Sequence, residues 1–265
     1  MEQPLFEVLD NETIQKWLEY RADGSLPASP ESVEYFLFQQ AVKLTDTLVG
    51  YRERMMMYSC AMRNVQVKFE TLDNEFKIRN RSNPIHSINT RLKSNASVLE
   101  KLFRKELKPT LENIEEHIQD IAGVRVICSY IDDIYLLADA LTQQDDVILL
   151  KKKDYISNPK PNGYRSLHLV VSVPVYFADQ KKQMPVEVQI RTIAMDFWAS
   201  LEHQLKYKQE IPEQQEIVQR LRNCADTISE IDSEMQHIRR KLEMASDRSV
   251  ENDLLDKLRK LDLPI

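Results

Sequence analysis

The sequence predicts a mixed α/β fold of the α+β kind, with one mixed β-sheet flanked by helices. Three observations predict it. Four β-rich runs crowd between residues 123 and 192, helix-like pieces lie between or beside them, and long helical stretches stand before and after. The runs are apolar enough to need cover on at least one face, which the helices supply.

Taken in chain order, Asn11 caps a short helix with Ile14, Trp17 and Leu18 on one face. After the breaker stretch DGSLPAS, Ser29 and Pro30 mark a helix start, and Val33, Phe36, Leu37, Ala41, Leu44 and Leu48 give it an apolar stripe. A second helical segment is expected over 51–77. Helices follow at 97–107, 110–119 and 131–143. The strands are GVRVICSY (123–130), DDVILLKKKDY (145–155), SLHLVVSVPVYF (166–177) and MPVEVQIRT (184–192). Beyond them, Ile217, Leu221, Cys224, Ile228, Ile231, Met235, Ile238 and Leu242 alternate spacings of four and three, the seam of a helix that faces a partner helix. That partner is either the N-terminal helix of the same chain or another subunit. Three segments result: 1–80 helical and packed on the core, 81–208 the core, and 209–265 a helical oligomerisation segment.

Composition excludes several classes. Apolar residues make up 42% and charged residues 29% of 265, ordinary values for a water-soluble domain. No apolar run reaches membrane-spanning length and the start carries no secretory signal, so a cytoplasmic protein without membrane partners is expected. Cys60, Cys128 and Cys224 are odd in number and widely spaced, which offers neither a disulfide framework nor a CxxC metal site.

A net charge of −6 argues against general coating of nucleic acid. The positive charge is nevertheless grouped. Arg81, Arg91, Lys93, Lys101, Arg104, Lys105 and Lys108 form one island; Lys151, Lys152, Lys153, Lys160 and Arg165 form another. Two basic islands in an acidic chain point to a focused site for a small, highly charged anion. The bland alternatives are a solvated helix face for the first and an edge strand protected by lysines for the second.

Period two over Pro185–Thr192 puts Glu187, Gln189 and Arg191 on one strand face and Val186, Val188 and Ile190 on the other. Arg125 likewise points away from Val124 and Val126, just after Asp120 and Gly123. Asp120 and Glu187 are the candidate pair for Mg²⁺, which takes a few carboxylate oxygens along with substrate phosphates and water. A surface salt bridge is the alternative reading for Glu187 and Arg191. The turn PNG fixes the entry of Tyr164, whose ring suits stacking on a base, and of Arg165, suited to phosphate. His168 is either a structural histidine or part of the site. Phosphate-binding GxxxxGK[ST], dinucleotide-binding GxGxxG, HExxH and GxSxG are all absent from the sequence.

TRLKS (90–94), KLFRK (101–105), DIAGVRVIC (120–128), KDYISNPKPNGYRSLH (153–168) and VEVQIRTIAMDFWASLEHQLKYK (186–208) together resemble the RelA/SpoT-type alarmone synthetase domain. With helical flanks, the chain resembles the single-domain small alarmone synthetases. The resemblance implies a fold related to nucleotidyltransferases. It also implies Mg²⁺-dependent transfer of the β,γ-pyrophosphate of ATP to the ribose 3′-hydroxyl of GDP or GTP, giving AMP and ppGpp or pppGpp, the stringent-response alarmones.

By motif, Asp120 resembles the metal ligand and Glu187 the carboxylate that assists the metal and activates the 3′-hydroxyl. Arg91 and Arg125 resemble the adenine sandwich, Lys93, Lys101 and Arg104 the donor phosphate clamp, and Tyr164 the guanine platform. His168 resembles a residue near the acceptor and transferred phosphates, with Lys153, Lys160, Arg165, Gln189 and Arg191 as further nucleotide-binding candidates. The first 80 residues hold no histidine, so alarmone hydrolysis is not expected. A homo-oligomer, by resemblance a tetramer, is implied, as are regulatory alarmone or single-stranded RNA partners. The rival readings are nucleotidyl transfer at the α-phosphate and a non-enzymatic RNA-binding protein.

Overall fold

The computed structural model describes residues 30–79, 83–206 and 214–260, with side chains over 48–79, 83–205 and 216–245. The chain divides into two compact units, 1–56 and 57–265, and the sheet and its helices belong to the second. The helix expected after Asn11 lies outside the described residues, as do the side chains of Val33 to Leu44.

The chain runs α1 (Pro30–Arg79), β1 (Ile85–Leu92), α2 (Asn95–Arg104), α3 (Leu111–His117), β2 (Ala122–Cys128) and α4 (Ile131–Thr142). Then come β3 (Ile148–Asp154), β4 (Leu167–Tyr176), β5 (Lys181–Thr192), α5 (Ile193–Lys206) and α6 (Gln214–Lys260). α1 is one helix of 50 residues where the sequence suggested two. Gly50 interrupts the apolar stripe, but a single glycine costs a helix only about 1 kcal/mol and does not end it. From Met57 onward α1 buries Tyr58, Ala61, Val65, Phe69 and Leu72, spaced by three and four.

The sheet order is β1-β2-β5-β4-β3, antiparallel throughout except for the parallel β2–β5 pair. β1 was not evident in the sequence: IHSINTRL lacks a clean apolar alternation, and only Ile85 in it is fully buried. Val124, Val126, Leu167, Leu169, Val171, Val186, Val188 and Ile190 are at most 1% exposed. With Ile134, Leu137, Ala138 and Leu141 of α4 they form the core. α2 stops at Arg104 rather than at 107, because Glu106 turns into left-handed backbone at φ 57°. The basic row Lys101, Arg104, Lys105, Lys108 is therefore split between a helix and the loop after it.

Helix α6 is 47 residues long. Leu221 and Ile228 of the seam pack on a cluster of Trp198, Ala199 and Ala225. Further along, Ile231, Met235, Ile238 and Leu242 are exposed, while the inward positions are polar: Asp232, Gln236 and Arg239. Gln236 and Arg240 hydrogen-bond Asp132, and Arg239 pairs with Asp133 at 2.7 Å, so α6 is fastened by charge to the first turn of α4.

Candidate active site

Strand register assembles the site. Asn89, Arg125, Gln189, His168 and Lys153 are partners across all five strands, and two positions along, Arg91, Gly123, Glu187, Val170 and Lys151 form the next row. Side chains of partnered residues share a face, so the β-branched and aliphatic positions between them fill the core while these rows look outward. Arg91, Asp120, Gly123, Arg125, Glu187 and Gln189 line one cavity of about 600 Å³. A Cβ on Gly123 would touch only the Arg91 carbonyl oxygen, at 3.4 Å. Glycine thus leaves the floor between Arg91 and Glu187 open.

Asp120 sits where the chain enters β2. The Lys93 amide continues the β1–β2 ladder by donating to Ile121 O at 2.8 Å, which carries the Lys93 ammonium to Asp120 Oδ2 at 3.1 Å. Ser94 caps α2 by accepting from the Ser97 amide, and one face of that helix presents Lys101, whose Nζ lies 2.7 Å from Asp120 Oδ1. Burial works to raise the Asp120 carboxyl, but Lys101 and Lys93 outweigh it and hold it below its usual range. Burial opposes ionisation of Glu187 as well; His168 and a hydrogen bond from Gln189 overcome it, against a smaller upward push from Asp120, so Glu187 is also depressed.

A polar chain runs on from Glu187. His168 Nδ1 is 3.7 Å from Glu187 Oε1, and His168 Nε2 is 2.8 Å from the Tyr164 hydroxyl. Arg191 donates to that hydroxyl and to Gln189 Oε1. Arginine can only donate, so the phenol oxygen accepts from Arg191.

Not every candidate lies in the cavity. Arg191 is 4% exposed and is held by Ser166, Asp196, Tyr164 and Gln189; it braces the site from beneath. Arg165 turns the other way, toward Ala225 and Asp226 of α6. Lys160 Nζ lies 4.7 Å from the ring centres of both Tyr155 and Tyr164. Lys153 stands on the exposed edge strand next to His168, and Arg104 ends α2 in solvent.

Sequence reasoning missed Asp196, which reaches Arg125 Nη1 at 3.5 Å and Arg191 Nη1 at 3.2 Å from the first turn of α5. It also missed Tyr155, whose ring meets Tyr164 and His168 edge-on, and Asp154, which binds the amides of Ile156 and Ser157 at the base of the loop. No spacing rule points to Asp196. Asp154 before a turn did carry an Asx-type signal.

Asp120 Oδ1 is buried and, apart from its ion pair with Lys101, accepts no hydrogen bond. With Glu187 on the same cavity, two hard oxygen donors face a space bounded by cations, a set that fits Mg²⁺ shared with phosphate oxygens. Among the described residues no cluster of three or more His, Cys, Asp or Glu is placed to hold a metal unaided.

Residues 90–212 match a family described as a region found in RelA / SpoT proteins. The GTP pyrophosphokinase YwaC of Bacillus subtilis is 40% identical over 202 residues, 76% of this chain and 95% of that protein. The chain belongs to the RelA/SpoT family. It is an α/β enzyme of the small alarmone synthetase type, a GTP diphosphokinase that transfers diphosphate groups. The crystal structure of the small alarmone synthetase 1 of Bacillus subtilis bound to its product pppGpp is 36% identical, matches with a TM-score of 0.66 and covers 72% of this chain and 97% of its own. The small alarmone synthetase 2 of the same organism is 41% identical, with a TM-score of 0.65 and coverages of 72% and 98%. Among the described residues no helix is long and apolar enough to cross a membrane.

Proposed function

We propose that this enzyme is a cytoplasmic, Mg²⁺-dependent GTP/GDP pyrophosphokinase that moves the β,γ-pyrophosphate of ATP to the 3′-hydroxyl of GDP or GTP. One observation carries the reading: Arg91, Asp120, Arg125 and Glu187 share a cavity around Gly123, and a polar chain leads from Glu187 past His168, 3.7 Å away, to Tyr164.

Arg91 and Arg125, on adjacent strands and one face, offer guanidinium planes for adenine. Lys93 and Lys101 stand at Asp120, with Arg104 further along α2, to clamp the donor phosphates. Positive charge there offsets the repulsion between phosphate oxygens and the incoming nucleophile. Asp120 and Glu187 would hold a Mg²⁺, whose charge would further neutralise the transferring group. Tyr164 stacks the acceptor guanine, and Lys160 and Lys153 lie within the same basic island for its phosphates. The bond from O3′ to the β-phosphorus forms as that from the β-phosphorus to the α–β bridging oxygen breaks, AMP leaves, and Glu187 takes up the 3′-hydroxyl proton. Its depressed pKa keeps Glu187 ionised at neutral pH, and His168 and Gln189 fix its direction.

The exposed Ile231, Met235, Ile238 and Leu242, at 56%, 49%, 43% and 65%, support a homo-oligomer formed through α6. Incubation with ATP, GDP and Mg²⁺ should give AMP and a 3′-pyrophosphorylated nucleotide. Release of free pyrophosphate would instead place attack at the α-phosphate and reject the reading.

A further inference from the structure

The loop between β3 and β4 carries Tyr164, and beyond the bonds of the Tyr164 hydroxyl to Arg191 and His168 it is attached to helices outside the sheet. Gly163 has φ 91°, which favours glycine, and a Cβ there would stand 2.5 Å from the Ala225 Cβ and 3.3 Å from the Arg222 Cα. The loop backbone therefore lies directly on α6. On the other side of Tyr164, Arg165 donates from Nη1 to Gly163 O at 3.1 Å and Ala225 O at 3.2 Å, and from Nη2 to Asp226 Oδ1 at 3.0 Å. Its side chain is only 15% exposed. Tyr164 itself packs against the Trp198–Ala199–Ala225 cluster, and Trp198 Nε1 donates to Leu221 O. Asn162 reaches Glu202 of α5 at 3.0 Å. The stacking residue is thus bracketed by two contacts to α6, a helix with no residue in the catalytic cavity.

We propose that Arg165 is a positioning residue for the acceptor nucleotide, locking the Tyr164 loop onto α6 through Ala225 and Asp226, so that α6 sets acceptor affinity without touching the nucleotide. This rests on the reading of Tyr164 as the guanine platform. It replaces the direct phosphate contact that the sequence suggested for Arg165: three of its five N–H groups bind two carbonyls and a carboxylate, and the residue does not line the cavity. The donor half, built on β1, α2 and β2, shares none of these contacts.

The test is steady-state kinetics on the full chain with Arg165→Ala, Asp226→Ala and the double variant, varying GDP and ATP separately. Losing charge-assisted hydrogen bonds should raise KM for GDP about tenfold in Arg165→Ala. The KM for ATP and kcat should stay within about twofold. Asp226→Ala, half exposed at 51% and safe to replace, should give a smaller rise in the same direction. The double variant should be no worse than Arg165→Ala, since both act through one contact. Effects that multiply, or an equal rise in KM for ATP, overturn the proposal. Where Arg165→Ala fails to fold, GDP titration followed by Trp198 fluorescence in a Trp17→Phe background compares Asp226→Ala with its parent: weaker GDP binding supports the proposal, and unchanged binding overturns it. Formation of AMP by the wild-type enzyme in the same assay reports separately on the reaction itself.

Discussion

Lys101 Nζ stands 2.7 Å from Asp120 Oδ1, so a proposed donor clamp and the proposed ion ligand neutralise one another. On the proposed reading, binding of ATP with Mg²⁺ would exchange that pair for two others, ammonium to phosphate and carboxylate to cation. Asp120→Asn should leave the lysines in place while removing one charged ligand. The Mg²⁺ concentration for half-maximal rate should rise by about 100-fold, as read from turnover against free Mg²⁺ at saturating nucleotide. An unchanged Mg²⁺ dependence would remove Asp120 from the ion site.

Glu187→Gln keeps the shape of the site and loses the proposed base. Turnover should fall by about 10²–10⁴-fold, with KM for both nucleotides little changed. A variant that lost only nucleotide affinity would assign Glu187 to binding.

Gly123→Val should separate the cavity from the fold. Gly123 is not among the residues with positive φ, and a Cβ has room beside the Arg91 carbonyl, so the strand tolerates a side chain. The two methyl groups would project between Arg91 and Glu187. The KM for ATP should rise about tenfold or more, a loss of roughly 1.4 kcal/mol, with the melting temperature within a few degrees of wild type. Undiminished ATP affinity would show that the donor does not use this floor.

The carboxylates also predict opposite pH dependences of stability. Asp120 and Glu187 have folded pKa values below the usual 3.8 and 4.5, so their stabilising contribution is complete above about pH 4.5 and is lost only as pH falls through the depressed values. Asp232 is the reverse. Burial raises its carboxyl, which a hydrogen bond from Thr192 only partly offsets, so stability is lost as pH rises from 3.8 through the raised value. Asp232→Asn should therefore be the more stable protein at pH 7 by about 1 kcal/mol, or roughly 2–4 °C in Tm, and the gain should vanish near pH 3.5. A variant less stable than wild type at pH 7 would contradict this.

The sheet was legible where its strands alternate or are uniformly apolar. Val186, Val188 and Ile190 against Glu187, Gln189 and Arg191 announced both the strand and its two faces, and burial follows that split except at Arg191. β1 escaped because His86, Asn89 and Thr90 face solvent or the site, so the strand has no apolar side to betray it. Asp120 and Glu187 could be named as a pair, but their meeting depends on a parallel register that no local pattern encodes. Arg165 and Arg191 were recognisable as functional-looking cations. Their direction was not, since it is set by Asp226 and Asp196, residues that reach them from helices late in the chain. Of the apolar stripe along α6, Leu221 and Ile228 are packed and Ile231, Met235, Ile238 and Leu242 are exposed, while the polar side by which α6 holds the sheet domain was hidden among ordinary charged residues.

The single parallel pairing, β2 with β5, has a kinetic corollary. β4 and β5 close as a hairpin over a short loop, whereas Gly123 finds Glu187 only after about sixty residues of intervening chain have been looped out. Chain collapse should thus yield an early species with β4–β5 zipped and catalysis still dormant, and enzymatic competence should appear in the last refolding phase. Pulsed amide exchange during refolding, with protection of Val124 and Val126 lagging behind Leu169 and Val171, is the signature to seek.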